Sequence, residues 1–247
     1  MIPIRDDNPT FHPSIVAYAI IGLNVASWIL LQGFGMYPQL MVSVFKFGVI
    51  PGELLGLVPP GTSIPVGQGM QYVVEATPNF LSVVTHMFMH GGWLHIIGNM
   101  WFLWIFGDNV EDRLGHSRYL GFYLFAGFSA SFLHILFNAS SRIPVIGASG
   151  AIAGVMAAYL LLFPYARILT LIPLFVFIPL FIEIPAYLFI LFWFMTQLLS
   201  GTVSLLSLTS GGIAWWAHVG GFLAGIFVVL RVRKREKKRY VNPSLYS

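Results

Sequence analysis

Apolar residues gather in blocks of about twenty along most of the chain, the length at which a helix crosses a bilayer. Six such blocks lie near residues 14–34, 93–113, 118–138, 149–166, 184–204 and 212–232, the second and fourth less uniformly apolar than the rest. Between the first two, residues 35–85 are rich in Pro and Gly yet carry "MVSVFKFGVI" and "ELLGLV", which predicts a structured, partly membrane-associated loop. The stretch 165–204 is too long for one span and is interrupted by Pro173, Pro179 and Pro185. It could form two spans, or one span plus an interfacial segment.

Charge chooses between these. With six spans, Arg5, Arg113, Arg118, Arg167 and the seven basic residues of the tail share one face. That is eleven of the 13 Lys and Arg, with Lys46 and Arg142 opposite; a seventh span would spoil the positive-inside bias. The expected organisation is a cytoplasmic N-terminus (1–13), a six-helix membrane domain (14–232) with 168–182 at or partly in the interface, and a basic cytoplasmic tail (233–247). The tail "RVRKREKKR" reads as a topology signal, with anionic lipid as the alternative partner.

Composition agrees. The 247 residues are 57% hydrophobic and 9% charged, against about 25% charged in ordinary soluble domains. Cysteine is absent, which excludes disulfides, thiolate metal sites and a cysteine nucleophile. Asp6 and Asp7 precede the first block without a basic n-region or a small-residue cleavage site, which argues against a cleaved signal peptide.

In this topology spans two, four and six run the same way, so their early residues share a depth toward the outer face. The unusual polar residues fall there. Span two is entered through "THMFMHGGWLHIIGNMWFLW", with His86, His90, His95 and Asn99 in or beside apolar sequence. Polar groups at such depth are costly and mark function by default. His95 and Asn99 are i,i+4 and share a helix face; Gly91 and Gly92 separate them from His86 and His90. "HMFMH" lacks the glutamate of H-E-x-x-H and no carboxylate lies between His86 and Phe106, so no metal site is expected. His86 and His90 read instead as residues that fix the long loop by hydrogen bonds.

Span four opens "VIGASGAIAG". Small residues let helices approach closely in a bilayer, or they present Ser149 Oγ to a partner; alone, the stretch favours packing. Span six opens "GGIAWWAHVGGFLAG", with His218 followed by Gly221 and Gly225 at a G-x-x-x-G interval. Its natural neighbour is the face of Ser149, Ala153 and Ala157. If those faces meet, His218 and Ser149 come within hydrogen-bond reach. Trp215 and Trp216 read as interfacial anchors.

A serine hydroxyl becomes a nucleophile when a base takes its proton, and a histidine can serve. The oxyanion donors would be the Ser149 N–H, Asn99 and His95. A third member is not evident, because none of the nine acids is placed at the depth of His218. The expectation is a Ser–His dyad whose imidazole is positioned by packing, with no metal or cofactor. The rival readings are a transporter or channel using the histidines as a proton path, an inactive relative of such an enzyme that binds membrane clients without cutting them, and a histidine-ligated metal enzyme.

"HGGWLHIIGNMWFLW", "GDNVEDRLG", "GASG" and "AHVGGFLAG", in that order over about residues 86 to 225, resemble the rhomboid family of intramembrane serine proteases. The resemblance implies an all-α membrane protein, a six-transmembrane-helix bundle with residues 35–85 as a lateral first loop and span five gating substrate entry. It implies Ser149 as nucleophile, His218 as base, His95 and Asn99 as oxyanion stabilisers, and Gly147 and Gly150 as the glycines flanking the serine. Gly221 and Gly225 correspond to glycines that seat the last helix. Gly107, Glu111, Arg113 and Gly115 match a structural G-x-x-x-E-x-R-x-G pattern. Ala153 stands where some members carry a tyrosine that stacks on the catalytic histidine. The expected partners are transmembrane protein substrates and the lipid bilayer, not nucleic acid. The expected location is a prokaryotic plasma membrane, with the active site opening to the outer face.

Overall fold

Long apolar runs without proline close into helices, and the proline-broken run does not. The computed structural model describes the backbone of residues 1–175, 178–206 and 214–241, and the side chains of 1–173, 179–203 and 214–234. Strand β1 (Ile2–Asp6) precedes helix α1 (Ile15–Leu30). The loop that follows holds α2 (Gln39–Phe47), α3 (Pro51–Leu54), the strands β2 (Ser63–Gly67) and β3 (Met70–Val73), and α4 (Ser82–Thr85). Then come α5 (Trp93–Leu114), α6 (His116–Phe137) and α7 (Ser149–Leu162). Strands β4 (Arg167–Phe175) and β5 (Ile178–Pro185) lead to α8 (Ala186–Leu206) and α9 (Trp215–Val241).

The described residues of 168–182 form strands, so the fold is mostly helical but not all-α. They belong to a three-stranded antiparallel sheet in the order β1-β4-β5, with Ile168 opposite Ile184 and Ile2 opposite Leu171. The prolines that forbid a helix are tolerated here because Pro173 and Pro179 face each other near the hairpin turn, where few ladder bonds are lost. Helix α9 continues through the basic run to Val241. Arg233 donates to the Leu161 carbonyl at the end of α7, where orphan carbonyls favour a cation. The tail side chains from 235 on lie outside the described residues.

Among the described residues, three helices are long and apolar enough to cross a membrane: His116–Phe137, Ala186–Val203 and Trp215–Lys234; α1 and α7 are apolar but shorter. Phe128 and Phe132 of α6, Leu191 and Phe192 of α8, and Leu223 and Phe227 of α9 are exposed. An apolar surface of that extent suits lipid. Helix α7 is the centre: every residue from Gly150 to Tyr159 is buried, with α5, α6 and α9 packed around it.

Where lipid surrounds the helices, apolar burial does not separate packed from unpacked, and close backbone approach takes over. Glycines supply it between α7 and α9. A Cβ added at Gly221 would stand 1.8 Å from the Gly150 carbonyl oxygen, and one at Gly225 would stand 2.2 Å from that of Gly154. Of the predicted face, Ser149 and Ala157 do meet α9, and Gly150 and Gly154 make the closest backbone approach beside them, while Ala153 lies in the core. The conformation of Gly115, φ +80°, lets α6 start directly after α5. Gly107 admits the Tyr119 hydroxyl, 2.9 Å from where its Cβ would be. Glu111 accepts the Val16 and Ala17 N–H groups at 2.8 and 2.7 Å, capping the first turn of α1.

The long loop has its own core, built from Val44, Phe45, Ile50, Val58, Ile64, Val66 and Val74. It grips the segment before α7 through the reciprocal Val49–Val145 backbone pair and a Gly52 N–H bond to the Ser141 carbonyl. His86 ties the same region to α6: Nδ1 donates to the Ser82 carbonyl at 3.0 Å and Nε2 accepts from Ser131 Oγ at 2.9 Å. His90 is held by its backbone, with Gln32 donating to its carbonyl at 2.7 Å and accepting from its N–H at 2.8 Å.

Burial pushes the His86 imidazole down to about 4 from its ordinary 6.5. Between those values the unfolded chain binds a proton that the folded chain refuses, so stability is complete above about pH 6.5 and falls as pH drops toward 4, by about 3 kcal/mol from this group. The melting temperature of detergent-solubilised protein should fall across that window, and His86→Gln should flatten the fall. An unchanged slope in His86→Gln would exclude His86 as its source.

Candidate active site

Three helix N-termini converge on one cavity of about 940 Å³, lined by His95 and Asn99 of α5, Ser149 of α7, and Trp215 and His218 of α9. Ser149 is the first residue of α7, and the first intrahelical bond runs from Ile152 N–H to the Ala148 carbonyl. The N–H groups of Ser149, Gly150 and Ala151 therefore have no intrahelical partner and make an electropositive end. Gly147, at φ +117°, turns the chain into that helix and donates its N–H to the His86 carbonyl at 2.9 Å.

The glycine contacts between α7 and α9 bring His218 alongside. His218 Nε2 and Ser149 Oγ are 2.8 Å apart. On the other side of the ring, His218 Nδ1 is 2.8 Å from Gln197 Oε1 on α8. The Trp193 ring lies 5.8 Å from the imidazole, and the Trp215 ring 6.2 Å away at 86°. At i,i+3 Trp215 shares the face of His218 and packs on it, a contact the interfacial-anchor reading does not supply. Trp216 stacks on Phe137 at 4.1 Å.

Two hydrogen-bond donors line the cavity with Ser149, and one of them, on Asn99, has no partner among the described residues. Gly91 N–H donates to His95 Nδ1 at 3.2 Å, so the ring proton sits on Nε2. That nitrogen points over Gly147: a Cβ there would lie 2.7 Å from His95 Nε2 and 3.5 Å from Asn99 Nδ2. A buried donor left unpaired, as Asn99 Nδ2 is, is costly, and here both donors line the space beside the serine. Such a set can activate a hydroxyl and hold an oxygen that becomes negative. The described residues hold no cluster of His, Cys, Asp or Glu suited to a metal ion.

Gln197 is the residue that sequence reasoning misses. It is a polar side chain inside the apolar run "LFWFMTQLLS", and the intramembrane-polar criterion applied to the histidines would have singled it out. The imidazole is accordingly held by a side-chain hydrogen bond as well as by packing.

A family model described as Rhomboid domain matches residues 77–235. The chain is 25% identical over 236 residues to "Rhomboid protein 1, mitochondrial" of Saccharomyces cerevisiae, covering 92% of this chain and 57% of that protein. It is 29% identical over 197 residues to the human "Presenilin-associated rhomboid-like protein, mitochondrial", covering 76% and 45%. It is 36% identical over 86 residues to "Rhomboid-like protein 11, chloroplastic" of Arabidopsis thaliana, covering 35% and 30%. The chain thus spans about half the length of the first two relatives. Their organellar names overturn the expectation of a prokaryotic plasma membrane.

Proposed function

We propose that this chain, which belongs to the rhomboid family, is an intramembrane serine endopeptidase that cuts peptide bonds in or next to transmembrane segments of other membrane proteins. The observation that carries the reading is the 2.8 Å contact between Ser149 Oγ and His218 Nε2 in a cavity lined by His95 and Asn99. In the proposed reaction Ser149 Oγ attacks the scissile carbonyl carbon as His218 Nε2 takes its proton. The tetrahedral oxyanion is received by the Ser149 N–H, the Asn99 amide and His95 Nε2–H. His218 then protonates the leaving amine, the C–N bond breaks, and an acyl-enzyme remains. Water then attacks the acyl carbon as His218 takes its proton. The second tetrahedral intermediate collapses with cleavage of the Ser149 ester bond, His218 returning the proton to Ser149 Oγ and a free carboxyl product leaving.

Helices α1, α5, α6, α7, α8 and α9 form the proposed six-span bundle. The fourteen residues of α7 make a helix of about 21 Å at ~1.5 Å per residue, short of the ~30 Å hydrocarbon layer. In this reading Ser149 is recessed in the layer at the side of an open cavity that carries His95, Asn99 and Gln197 among apolar side chains, and water reaches the serine through it. A substrate helix hides its carbonyls in i→i−4 bonds, so it must unwind at the cut, and helix-breaking residues there lower that cost. The names of these two relatives support a mitochondrial compartment.

The test is cleavage of a transmembrane reporter by purified protein. Asn99→Ala should lower kcat by about 10²- to 10³-fold through loss of an oxyanion donor, with little change in KM. A wild-type preparation that neither cuts the reporter nor reacts with a fluorophosphonate would overturn the reading.

A further inference from the structure

The Gln197 amide can face His218 in two ways, and its surroundings allow one. Its Nε2 lies 3.2 Å from the Trp193 carbonyl, which can only accept, and 2.9 Å from Thr196 Oγ1. Thr196 Oγ1 already donates to that same carbonyl at 2.6 Å, so toward Gln197 its oxygen acts as acceptor. Both neighbours therefore demand the NH₂ end. Oε1 is left facing His218 Nδ1 at 2.8 Å, and Oε1 can only accept. Nδ1 must carry the ring proton, which leaves Nε2 with its lone pair toward Ser149 Oγ.

From this chain of forced orientations, and resting on the protease reading above, we propose that Gln197 is the positioning residue of the Ser149–His218 pair. It holds the imidazole in the tautomer and rotation that can take the serine proton, the task that a carboxylate performs in the three-membered arrangement. It touches neither the serine nor the scissile bond. The titratable side chains that face His218 are His95 of α5 and His134 of α6, and no carboxylate of the described residues joins them. Gln197 is 6% exposed, and its bond to His218 is the one side-chain hydrogen bond from α8 to another element among the described residues. A neutral amide fits this place: it orders the ring without the cost of an ionised carboxylate at membrane depth.

The experiment compares wild type, Gln197→Met and Gln197→Glu in reporter cleavage and in fluorophosphonate labelling rate. Gln197→Met keeps length and volume but accepts no proton from Nδ1. It should lower kcat and labelling rate together by about 10- to 100-fold, less than the ~10⁴ seen when a triad carboxylate is replaced, with KM within twofold. Gln197→Glu restores the acceptor and should recover labelling. It should also move the acidic limb of kcat/KM to higher pH, because a carboxylate holds the imidazolium proton. Melting curves identify a variant that has merely lost its fold, and recovery in Gln197→Glu keeps the test decisive if Gln197→Met is unstable. Wild-type kcat in Gln197→Met would overturn the proposal, as would a raised KM at unchanged kcat, or Gln197→Glu no better than Gln197→Met with an unmoved pH profile. If wild type shows no Ser149-dependent labelling, it is the protease reading that falls; normal wild-type labelling with an indifferent Gln197 removes this proposal alone.

Discussion

Ser149→Ala should abolish fluorophosphonate labelling and lower reporter cleavage by about 10⁵- to 10⁶-fold, the scale on which loss of a serine nucleophile acts in soluble proteases. The substitution removes one oxygen and leaves Cβ in place, at the head of a helix whose following residues are buried. Folding should be untouched and the melting temperature unchanged. What disappears is the oxygen that forms the acyl bond in the proposed reaction. If Ser149 and His218, 2.8 Å apart, act as one unit, the double variant Ser149→Ala/His218→Ala should be no slower than either single one. Labelling that survives in Ser149→Ala would mean that another hydroxyl is activated, and the reading would fail. Flux of protons that continues in Ser149→Ala would favour a transporter.

The second large effect needs no contact with substrate. Gly221→Ala places a methyl 1.8 Å from the Gly150 carbonyl oxygen, backbone against backbone, where no rotamer can relieve it. Helices α7 and α9 must separate. Overpacking of side chains costs about 1–3 kcal/mol, and a backbone clash between two helices should lie at or above the top of that range. Since Ser149 is on α7 and His218 on α9, the same separation lengthens their hydrogen bond, so activity should fall with stability. Gly121→Ala supplies the control: on α6, a Cβ there meets nothing within 4 Å. Alanine favours helix over glycine by up to about 1 kcal/mol, so that variant should melt no lower than wild type. Gly221→Ala with wild-type melting and cleavage would show that the close approach of α7 and α9 does not hold the site together.

The polar residues that the chain brings to the cavity were legible one at a time. Ser149, His218, His95 and Asn99 stand out because each is polar inside an apolar run, and the common direction of spans two, four and six put them at one level. The partner of the imidazole was not legible. Acids are what usually orient a catalytic histidine, and Gln197 in the middle of span five carries no charge that marks it as a partner. Its role appears only when the side chains around it show which way its amide must point. The contact of Trp215 was not legible for a related reason: its amphipathic ring suits an interface, and only the i,i+3 position beside a placed His218 shows what it covers.

By itself the sequence determined the membrane class, the positions of the helices and the motifs of the family. Those depend on the composition of about twenty consecutive residues or on short fixed spacings, and both are local. Tertiary structure decided the rest. Residues 167–185 had the prolines to refuse a helix, but that they form strands follows from Ile2–Asp6, more than 160 positions away, covering one edge of β4. Which small residues touch was likewise undecidable from spacing, because Ser149, Gly150, Ala153 and Gly154 all lie on α7 and helix rotation selects among them. That rotation is set by Gly221 and Gly225, whose missing side chains let two backbones meet only where Gly150 and Gly154 leave room.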